Sequence, residues 1–313
     1  MVNTPASNSL NERVALVTGG ARGIGLAISR ALHARGASVV IADSGVSISG
    51  TAPDPSIADA AAQELGARAA AFSSDISSPE GAAEAVALAM DRFGAIDLVV
   101  NNAAILRDSL IFKANPANWN AVLQSNLSAA FYVLAAATPH LREQAKSGRA
   151  PGRVVNITSS TGLYGNFGQS AYASAKAGLL GLTRVTAMDM ARSGVTCNAV
   201  APFGATRVTE AIQPANPAQA QYKERALRVS ARFVGDFVAF LCGPEAQTLS
   251  GQLFGVRGRE VFLFSQPRPL AHFVMPETDD GAATLPGVVR EHFTNRLVEL
   301  TTDLEAFNTE PVS

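Results

Sequence analysis

The feature of this 313-residue sequence that most constrains its fold is an alternation of short apolar runs with longer helical patterns. The apolar runs contain β-branched residues and are bounded by Gly, Asp or Asn, which is typical of buried strands. They lie at residues 14–18, 38–42, 69–72, 97–100, 153–158 and 195–200, with a last strand at 251–256. Helical patterns lie between them, at residues 24–35, 56–65, 79–93, 117–145 and 172–193. This order predicts a single-domain α/β fold, with a doubly wound, mostly parallel Rossmann sheet and helices on both faces.

Composition excludes several classes of protein. Hydrophobic residues make up 47% of the chain and the net charge is −1, so a large core is expected and nucleic-acid binding is not. Cys197 and Cys242 have no Cys or His at metal-ligand spacing, so we expect buried free thiols and no metal site. Residues 1–11 lack the pattern of a signal peptide, and we find no uncharged apolar run of bilayer length. We therefore expect a cytoplasmic protein with no membrane partner.

Two regions depart from the alternation. We predict one Rossmann-fold domain at residues 12–264 after a flexible N-terminus at 1–11. Residues 203–230 are polar and contain proline, and so long an excursion after a strand indicates a substrate lid or a subunit contact. Residues 265–313 are interpreted as a C-terminal extension that forms a tail or an oligomer contact, or alternatively part of the substrate mouth.

A glycine-rich loop, TGGARGIG, follows the first strand and opens the first helix. Gly19 permits the tight turn, while Gly23 and Gly25 leave room for a pyrophosphate. The helix N-terminus offers free amide donors to negative charge. We predict that this loop binds a dinucleotide, with Arg22 and Ile24 also in contact.

Asp43 ends the second strand, where a carboxylate can bond both ribose hydroxyls of NAD and repel the 2′-phosphate of NADP. Arg22 is the counter-argument, because it could bind that phosphate, but the balance favours NAD. Parallel strands present ligand-binding residues at their carboxyl ends. The other predicted cofactor-binding residues are accordingly Asp75, Ile76, Asn102, Ala103, Ala104 and Pro202, together with Tyr172 and Lys176.

Tyr172 and Lys176 lie four residues apart on a predicted helix, so they share a face. The ammonium group, together with an oxidised nicotinamide, would favour the phenolate, which could take the proton of an alcohol as hydride leaves its carbon. Ser159, at the end of the fifth strand, could hydrogen-bond the substrate oxygen. Asn126, in mid-helix, could orient a water that relays protons from Lys176.

These motifs, taken in order, resemble the short-chain dehydrogenase/reductase family over about residues 12–258. The resemblance implies a Rossmann-fold oxidoreductase that uses NAD or NADP, acts on a small-molecule alcohol or ketone, and forms a homo-oligomer, often a tetramer. It also implies that Tyr172 is the general acid/base, that Lys176 binds the nicotinamide ribose, and that Ser159 and Asn126 complete the catalytic set.

A narrower resemblance concerns the (3R)-hydroxyacyl-CoA dehydrogenase unit of peroxisomal multifunctional enzyme type 2, also called 17β-hydroxysteroid dehydrogenase type 4, and its bacterial single-domain relatives. It is carried by SSTGLYGNFGQSAYASAKAGLLGL and NNAAILRDSLI. It implies a 3-hydroxyacyl-CoA or a hydroxysteroid as substrate. An NADPH-dependent 3-oxoacyl reductase and a non-catalytic nucleotide-binding scaffold are the alternatives. Phe203 and Ala104 each stand where the family has a glycine. Candidate substrate contacts are Ile105, Leu106, Leu163, Tyr164 and Phe167.

Overall fold

The computed structural model describes residues 9–214, 216–275 and 281–312, and of residues 281–284 it describes the backbone only. Eight strands form one sheet in the order β3-β2-β1-β4-β5-β6-β7-β8. The strands are β1 (Val14–Thr18), β2 (Ser38–Ala42), β3 (Ala69–Phe72), β4 (Leu98–Asn101), β5 (Arg153–Ile157), β6 (Thr196–Phe203), β7 (Leu253–Arg257) and β8 (Glu260–Leu263). Neighbours pair in parallel except β7 and β8, which are antiparallel. The predicted fold class is confirmed.

Twelve α-helices occur in the described residues. They are α1 (Gly23–Ala34), α2 (Ser56–Leu65), α3 (Pro79–Phe93), α4 (Pro116–Leu123), α5 (Ala129–Lys146), α6 (Thr161–Tyr164), α7 (Ser170–Met190), α8 (Arg207–Ala211), α9 (Pro217–Leu227), α10 (Arg232–Leu241), α11 (Gly281–Phe293) and α12 (Asp303–Ala306). A π-helical segment, Gln124–Ser128, joins α4 to α5. Short 3₁₀ turns lie at Ile111–Lys113, Ala191–Ser193, Pro244–Ala246 and Thr294–Arg296.

The sheet is covered on both faces because alternate residues of each strand point in opposite directions. In β1, Ala15 and Val17 join the core formed with α1 and α10. Val14 and Leu16 join the opposite core, formed with α3, α5 and α7. Since both faces are filled by apolar side chains, groups available for chemistry emerge only where the strands end.

The predicted bounds agree closely with the structure in the first half of the chain. Helix α3 shows why: the Ser78 side chain accepts from the backbone of Gly81, proline follows at the first position, and Gly94 ends the helix in the left-handed region. Strand β8 was not predicted. Of the predicted flexible N-terminus, residues 1–8 lie outside the described residues, whereas Leu10 is buried and its backbone N–H donates to the Arg35 carbonyl.

The stretch Pro116–Lys146 is long and apolar enough to cross a membrane by length and composition alone. Our expectation that no such run exists was too strict. Its apolar residues Val133, Leu134 and Leu141 are buried in the core that α5 shares with α3 and the sheet. That is the ordinary position of a core helix, so the apolar character of the stretch has a packing explanation.

Residues 302–312, here called the C-terminal segment, fold back onto the sheet edge beside α9. The Arg257 guanidinium donates to the Phe307 carbonyl at 2.9 Å, and Arg225 donates to the Asn308 carbonyl at 3.0 Å. The backbone N–H of Arg259 donates to the Val312 carbonyl. The Phe307 ring contacts four other aromatic rings, those of Tyr164, Phe203, Phe262 and Phe264. These contacts place the segment next to the carboxyl end of β6.

Candidate active site

Two adjoining clefts open at the carboxyl edge of the sheet. The first, of about 210 Å³, runs over the β1–α1 loop and the ends of β2 and β4. The second, of about 660 Å³, lies between Ser159, the 203–230 region and the C-terminal segment. Tyr172 lines both. All the residues predicted to bind the cofactor line the first cleft: Gly19, Arg22, Gly23, Ile24, Gly25, Asp43, Asp75, Ile76, Asn102, Ala103, Ala104, Tyr172, Lys176 and Pro202.

The β1–α1 loop is packed too tightly to accept side chains at its glycines. A Cβ atom on Gly25 would lie 1.9 Å from the Gly19 carbonyl oxygen, and Gly19 itself has a φ of +60°. The Asn102 side chain donates to the carbonyls of Thr18 and Gly19, each at 3.0 Å, and so ties the loop to the end of β4. The result is a bare backbone cradle at the N-terminus of α1, which fits the pyrophosphate of a dinucleotide.

Asp43 and Arg22 are paired at the adenosine end of the first cleft. The Asp43 carboxylate accepts from the Gly45 backbone at 2.9 Å, from the Ala21 backbone at 3.2 Å, and from the Arg22 guanidinium at 3.3 Å. Arg22 also donates to the Val46 carbonyl at 2.9 Å. The sequence left these two residues as competing arguments about the cofactor, whereas the structure joins them in one ion pair.

Further residues of the first cleft were not predicted. Val46, Ser47 and Ile48 come from the insertion that follows Asp43, and Thr206 and Arg207 come from the predicted lid. Burial and the charge of Arg22 lower the pKa of the Arg207 guanidinium, so the two cations that line this cleft are close enough to interact. The insertion carries no motif, and its length was the only signal available in the sequence.

Lys176 is buried beneath Tyr172. It is 2% exposed, its Nζ donates to the Ile157 carbonyl at 2.7 Å, and it lies 5.7 Å from the centroid of the Tyr172 ring. Burial lowers the pKa of the ammonium to about 8. The predicted juxtaposition of the two groups is therefore present, and the ammonium loses its proton more easily than that of a solvated lysine.

Tyr172 differs from expectation in its titration. Burial, reinforced by the negative charges of Asp303 and Asp108, raises the pKa of the phenol to about 12. A hydrogen bond with Ser159 opposes this rise. The sequence suggested a phenol whose pKa is lowered by Lys176 together with an oxidised nicotinamide. In the structure, desolvation and two carboxylates from distant parts of the chain raise the pKa of the phenol.

Asn126 lies in the π-helical segment and is 2% exposed. Its Oδ1 accepts from the Ile105 backbone N–H at 2.8 Å and its Nδ2 donates to the Ile105 carbonyl at 2.9 Å. The side chain therefore fixes the backbone of Ile105, which lines the first cleft, and does not itself line either cleft. Its participation in a proton relay stays a prediction.

The candidate substrate contacts separate in the structure. Leu106 and Phe167 line the second cleft, and Ile105 lines the first. Leu163 instead lines a small separate cavity, and Tyr164 packs against Phe307. Residues of the second cleft that the sequence did not single out are Asp108, Tyr222, Asp303 and Leu304. They come from three separate parts of the chain, so no local pattern could reveal them.

With this geometry in hand, the chain can be compared with known proteins. The family model described as short chain dehydrogenase matches residues 13–220, a range that contains the glycine-rich loop, Ser159, Tyr172 and Lys176. The chain belongs to the short-chain dehydrogenase family. This short-chain dehydrogenase is accordingly an oxidoreductase, and its family uses a nicotinamide nucleotide.

Three relatives illustrate the range of activities near this short-chain dehydrogenase. The hydroxyacyl-CoA dehydrogenase ChsB1 of Mycobacterium tuberculosis is 35% identical over 94% of this chain and 92% of its own. The 3-oxoacyl-[acyl-carrier-protein] reductase FabG of Vibrio cholerae is 36% identical over 80% of this chain and 98% of its own. Peroxisomal multifunctional enzyme type 2 of Mus musculus is 34% identical over 78% of this chain, which spans 31% of that enzyme.

A solved structure agrees with the fold. A short chain dehydrogenase from Mycobacterium avium superposes with a TM-score of 0.76 at 32% identity, covering 90% of this chain and 94% of that one. The resemblance stated from the motifs is thus confirmed at the level of the family.

Proposed function

We propose that this short-chain dehydrogenase interconverts a secondary alcohol and a ketone with NAD, on a 3-hydroxyacyl-CoA or a hydroxysteroid. One observation carries the proposal: the Tyr172 phenol stands where the two clefts meet, hydrogen-bonded to Ser159 and above the buried Lys176. A group so placed can reach a cofactor in one cleft and a substrate in the other.

The residues of the first cleft fit the cofactor in an order that follows the strand ends. The glycine loop would hold the pyrophosphate, Asp43 the adenosine ribose, and Lys176 with Tyr172 the nicotinamide ribose. The cofactor, when bound, accepts or supplies the hydride. Asp43 supports NAD over NADP, because its carboxylate would repel a 2′-phosphate and already engages the Arg22 guanidinium.

In the oxidative direction, the Tyr172 phenolate takes the proton from the alcohol oxygen while the carbinol carbon loses its hydride. Ser159 donates a hydrogen bond to the substrate oxygen, and Lys176 stabilises the phenolate. In the reductive direction, the phenol gives its proton to the alkoxide that forms as the carbonyl carbon gains hydride. The high pKa of the phenol favours this acid form at neutral pH.

The Tyr172→Phe variant tests the mechanism. The ring stays in place and only the hydroxyl is lost, so the protein should fold and bind cofactor while kcat falls by about 10³-fold or more. NAD reduction would be followed spectrophotometrically with a (3R)-hydroxyacyl-CoA and a 17β-hydroxysteroid. Tyr164→Phe is the matched control and should keep wild-type turnover. Full activity of the Tyr172→Phe protein would contradict the proposed mechanism.

A second candidate function is the NADPH-dependent reduction of a 3-oxoacyl thioester. It is favoured by Arg22 and Arg207, two guanidinium groups beside Asp43 that could bind a 2′-phosphate. Measuring NADH and NADPH side by side with one ketone separates the two: preference for NADH supports the leading proposal, and preference for NADPH supports the reductase. Tight NAD binding without turnover of any substrate would point to a non-catalytic scaffold.

We also propose that the protein is a homo-oligomer in the cytoplasm. Phe131 on α5 and Val185 and Met188 on α7 are large apolar side chains exposed on the same helical layer. Exposed apolar patches of this kind commonly form protein contacts. A second copy of this chain is the partner proposed here.

A further inference from the structure

Asp303 is a buried carboxylate that the C-terminal segment brings to the second cleft. It is 4% exposed and lines the cleft that also holds Ser159 and Tyr172. Its Oδ2 accepts hydrogen bonds from the Ser160 hydroxyl at 2.8 Å and the Thr161 hydroxyl at 2.7 Å. Its backbone N–H donates to the Gly165 carbonyl at 3.3 Å. Asp303 thus holds helix α6 at its beginning and at the residue that follows it.

The residues that Asp303 holds are continuous with the reacting groups. The Thr161 backbone N–H donates to the Ser159 hydroxyl oxygen at 3.2 Å, and Ser159 in turn hydrogen-bonds the Tyr172 phenol. The orientation of the Ser159 hydroxyl therefore depends on where the start of α6 lies. That position depends on Asp303, because the Ser160 and Thr161 hydroxyls both donate hydrogen bonds to its carboxylate.

Asp303 is itself held rigidly. It is the first residue of α12, whose N-terminus is closed by a capping box between Thr302 and Glu305. The aromatic contacts of Phe307 and the Arg257 guanidinium fix the other end of that helix. A carboxylate on such a support can define the position of its hydrogen-bond donors to within a few tenths of an ångström.

We propose that Asp303 is a positioning residue for the reaction, which orients Ser159 toward Tyr172 through the Ser160–Thr161 turn. This inference rests on the proposed function, since it assigns Ser159 and Tyr172 to the chemistry. It adds a residue that lies outside the range matched by the family model.

The carboxylate also has an electrostatic consequence that can be measured. Asp108 from the loop after β4 and Asp303 from α12 act on the Tyr172 phenol, and Lys176 from its own helix lies 5.7 Å from the ring centroid. Asp303 also lies within electrostatic range of Tyr222 of α9, as does Arg257 of β7. Since a negative charge opposes the phenolate, removing the Asp303 charge lowers the pKa of Tyr172.

Two variants separate position from charge. Asp303→Asn keeps an oxygen that can accept both hydroxyls, and Asp303→Ala keeps none. We expect kcat to fall by about 100-fold in Asp303→Ala, as for a misplaced reacting group, with little change in KM or in NADH affinity. Asp303→Asn should retain a kcat within about tenfold of the wild-type value. It keeps both hydrogen bonds, although bonds to a neutral amide oxygen are weaker than bonds to a carboxylate. Its rate of alcohol oxidation should rise at a lower pH than in the wild type.

Glu310→Gln, in the same segment but paired with Arg225 and Arg228, is the control and should behave as wild type.

Each outcome decides the proposal. The positioning role is overturned if both Asp303 variants keep the wild-type kcat and pH profile. It is also overturned if only KM rises, because Asp303 would then merely line the cleft. If Asp303→Ala does not fold, the pH profile of Asp303→Asn decides alone. Tyr172→Phe is assayed in parallel: its loss of activity beside normal Asp303 variants overturns the positioning role only. Full activity in Tyr172→Phe overturns the proposed function and this inference together.

Discussion

At the scale of single residues, Lys176 is buried at an electrostatic cost to the folded protein. Burial moves the pKa of its ammonium from 10.5 to about 8, which corresponds to an electrostatic cost on the order of 3 kcal/mol when the group is charged. The protein tolerates this cost at the site where the lysine faces Tyr172. Lys176 therefore lowers the stability of the protein at the position where it serves the proposed chemistry.

We predict that Lys176→Met abolishes turnover but raises the free energy of unfolding at pH 7 by about 1–2 kcal/mol. Methionine fills a similar space without a charge, although the bond to the Ile157 carbonyl is lost. Because the folded-state pKa lies below the unfolded value, the cost of Lys176 is complete at pH 7. It is relieved as the pH rises from about 8 toward 10.5.

Thermal unfolding at about pH 7 and pH 9 measures both effects, and the gap between wild type and Lys176→Met should narrow at the higher pH. Lys146→Met, on the exposed surface of α5, is the matched control and should change stability by less than about 0.5 kcal/mol. A destabilised Lys176→Met protein would show that the lysine's hydrogen bond outweighs its burial.

The positions of the proposed reacting residues could be predicted, but the electrostatics of Tyr172 could not. Spacing on one helix brought Lys176 to Tyr172, and the strand end brought Ser159. The pKa of the phenol depends on Asp108 and Asp303 as well. These carboxylates reach the site through tertiary packing, which a sequence pattern of short range does not record.

At the scale of secondary-structure elements, one ring, that of Phe307, supplies the aromatic contacts of the C-terminal segment. Phe307 lies 4.6 Å from the Phe203 ring centroid and 5.6 Å from that of Tyr164. Phe203 is the residue found where the family has glycine, so this departure has a structural use: it supplies part of the surface on which the segment docks.

We predict that Phe307→Ala lowers the free energy of unfolding by about 2 kcal/mol, less than for a fully buried ring because Phe307 is half-buried. Limited proteolysis should then cut within residues 297–312 earlier than in the wild type. Phe112→Ala, at a ring that is 76% exposed, serves as the control with unchanged stability and cleavage. Equal protease resistance of both variants would mean that the arginine contacts hold the segment without the ring.

Elements with strong local signals were predictable and those formed by tertiary contact were not. Strands β1, β2 and β3 have their predicted bounds because each is a buried apolar run between turn residues. Strand β8 alternates half-buried and exposed residues at the sheet edge and pairs only through its hairpin with β7. The π-helical segment arises where Asn126 bonds to the backbone of Ile105, a contact between separate elements.

At the scale of the whole molecule, the proposed oligomer can be tested on its apolar surface. Met188 is 76% exposed on α7, near Val185 on the same helix. We predict that Met188→Glu converts the oligomer to smaller species in sedimentation velocity, because a buried unpaired charge opposes association. Val274→Glu, an equally drastic change at an exposed residue outside this layer, should leave the sedimentation coefficient unchanged. A wild-type protein that sediments as a monomer would refute the oligomer.

The position of Asp303 near the end of the chain also affects which parts of the protein can form first during synthesis. Ser160 and Thr161 meet their acceptor on Asp303 only after 143 and 142 further residues have been added to the growing chain. All eight strands end before Asp303 is made, the last of them at Leu263. A nascent chain on the ribosome can therefore assemble its sheet and the first cleft while one wall of the second cleft is still missing.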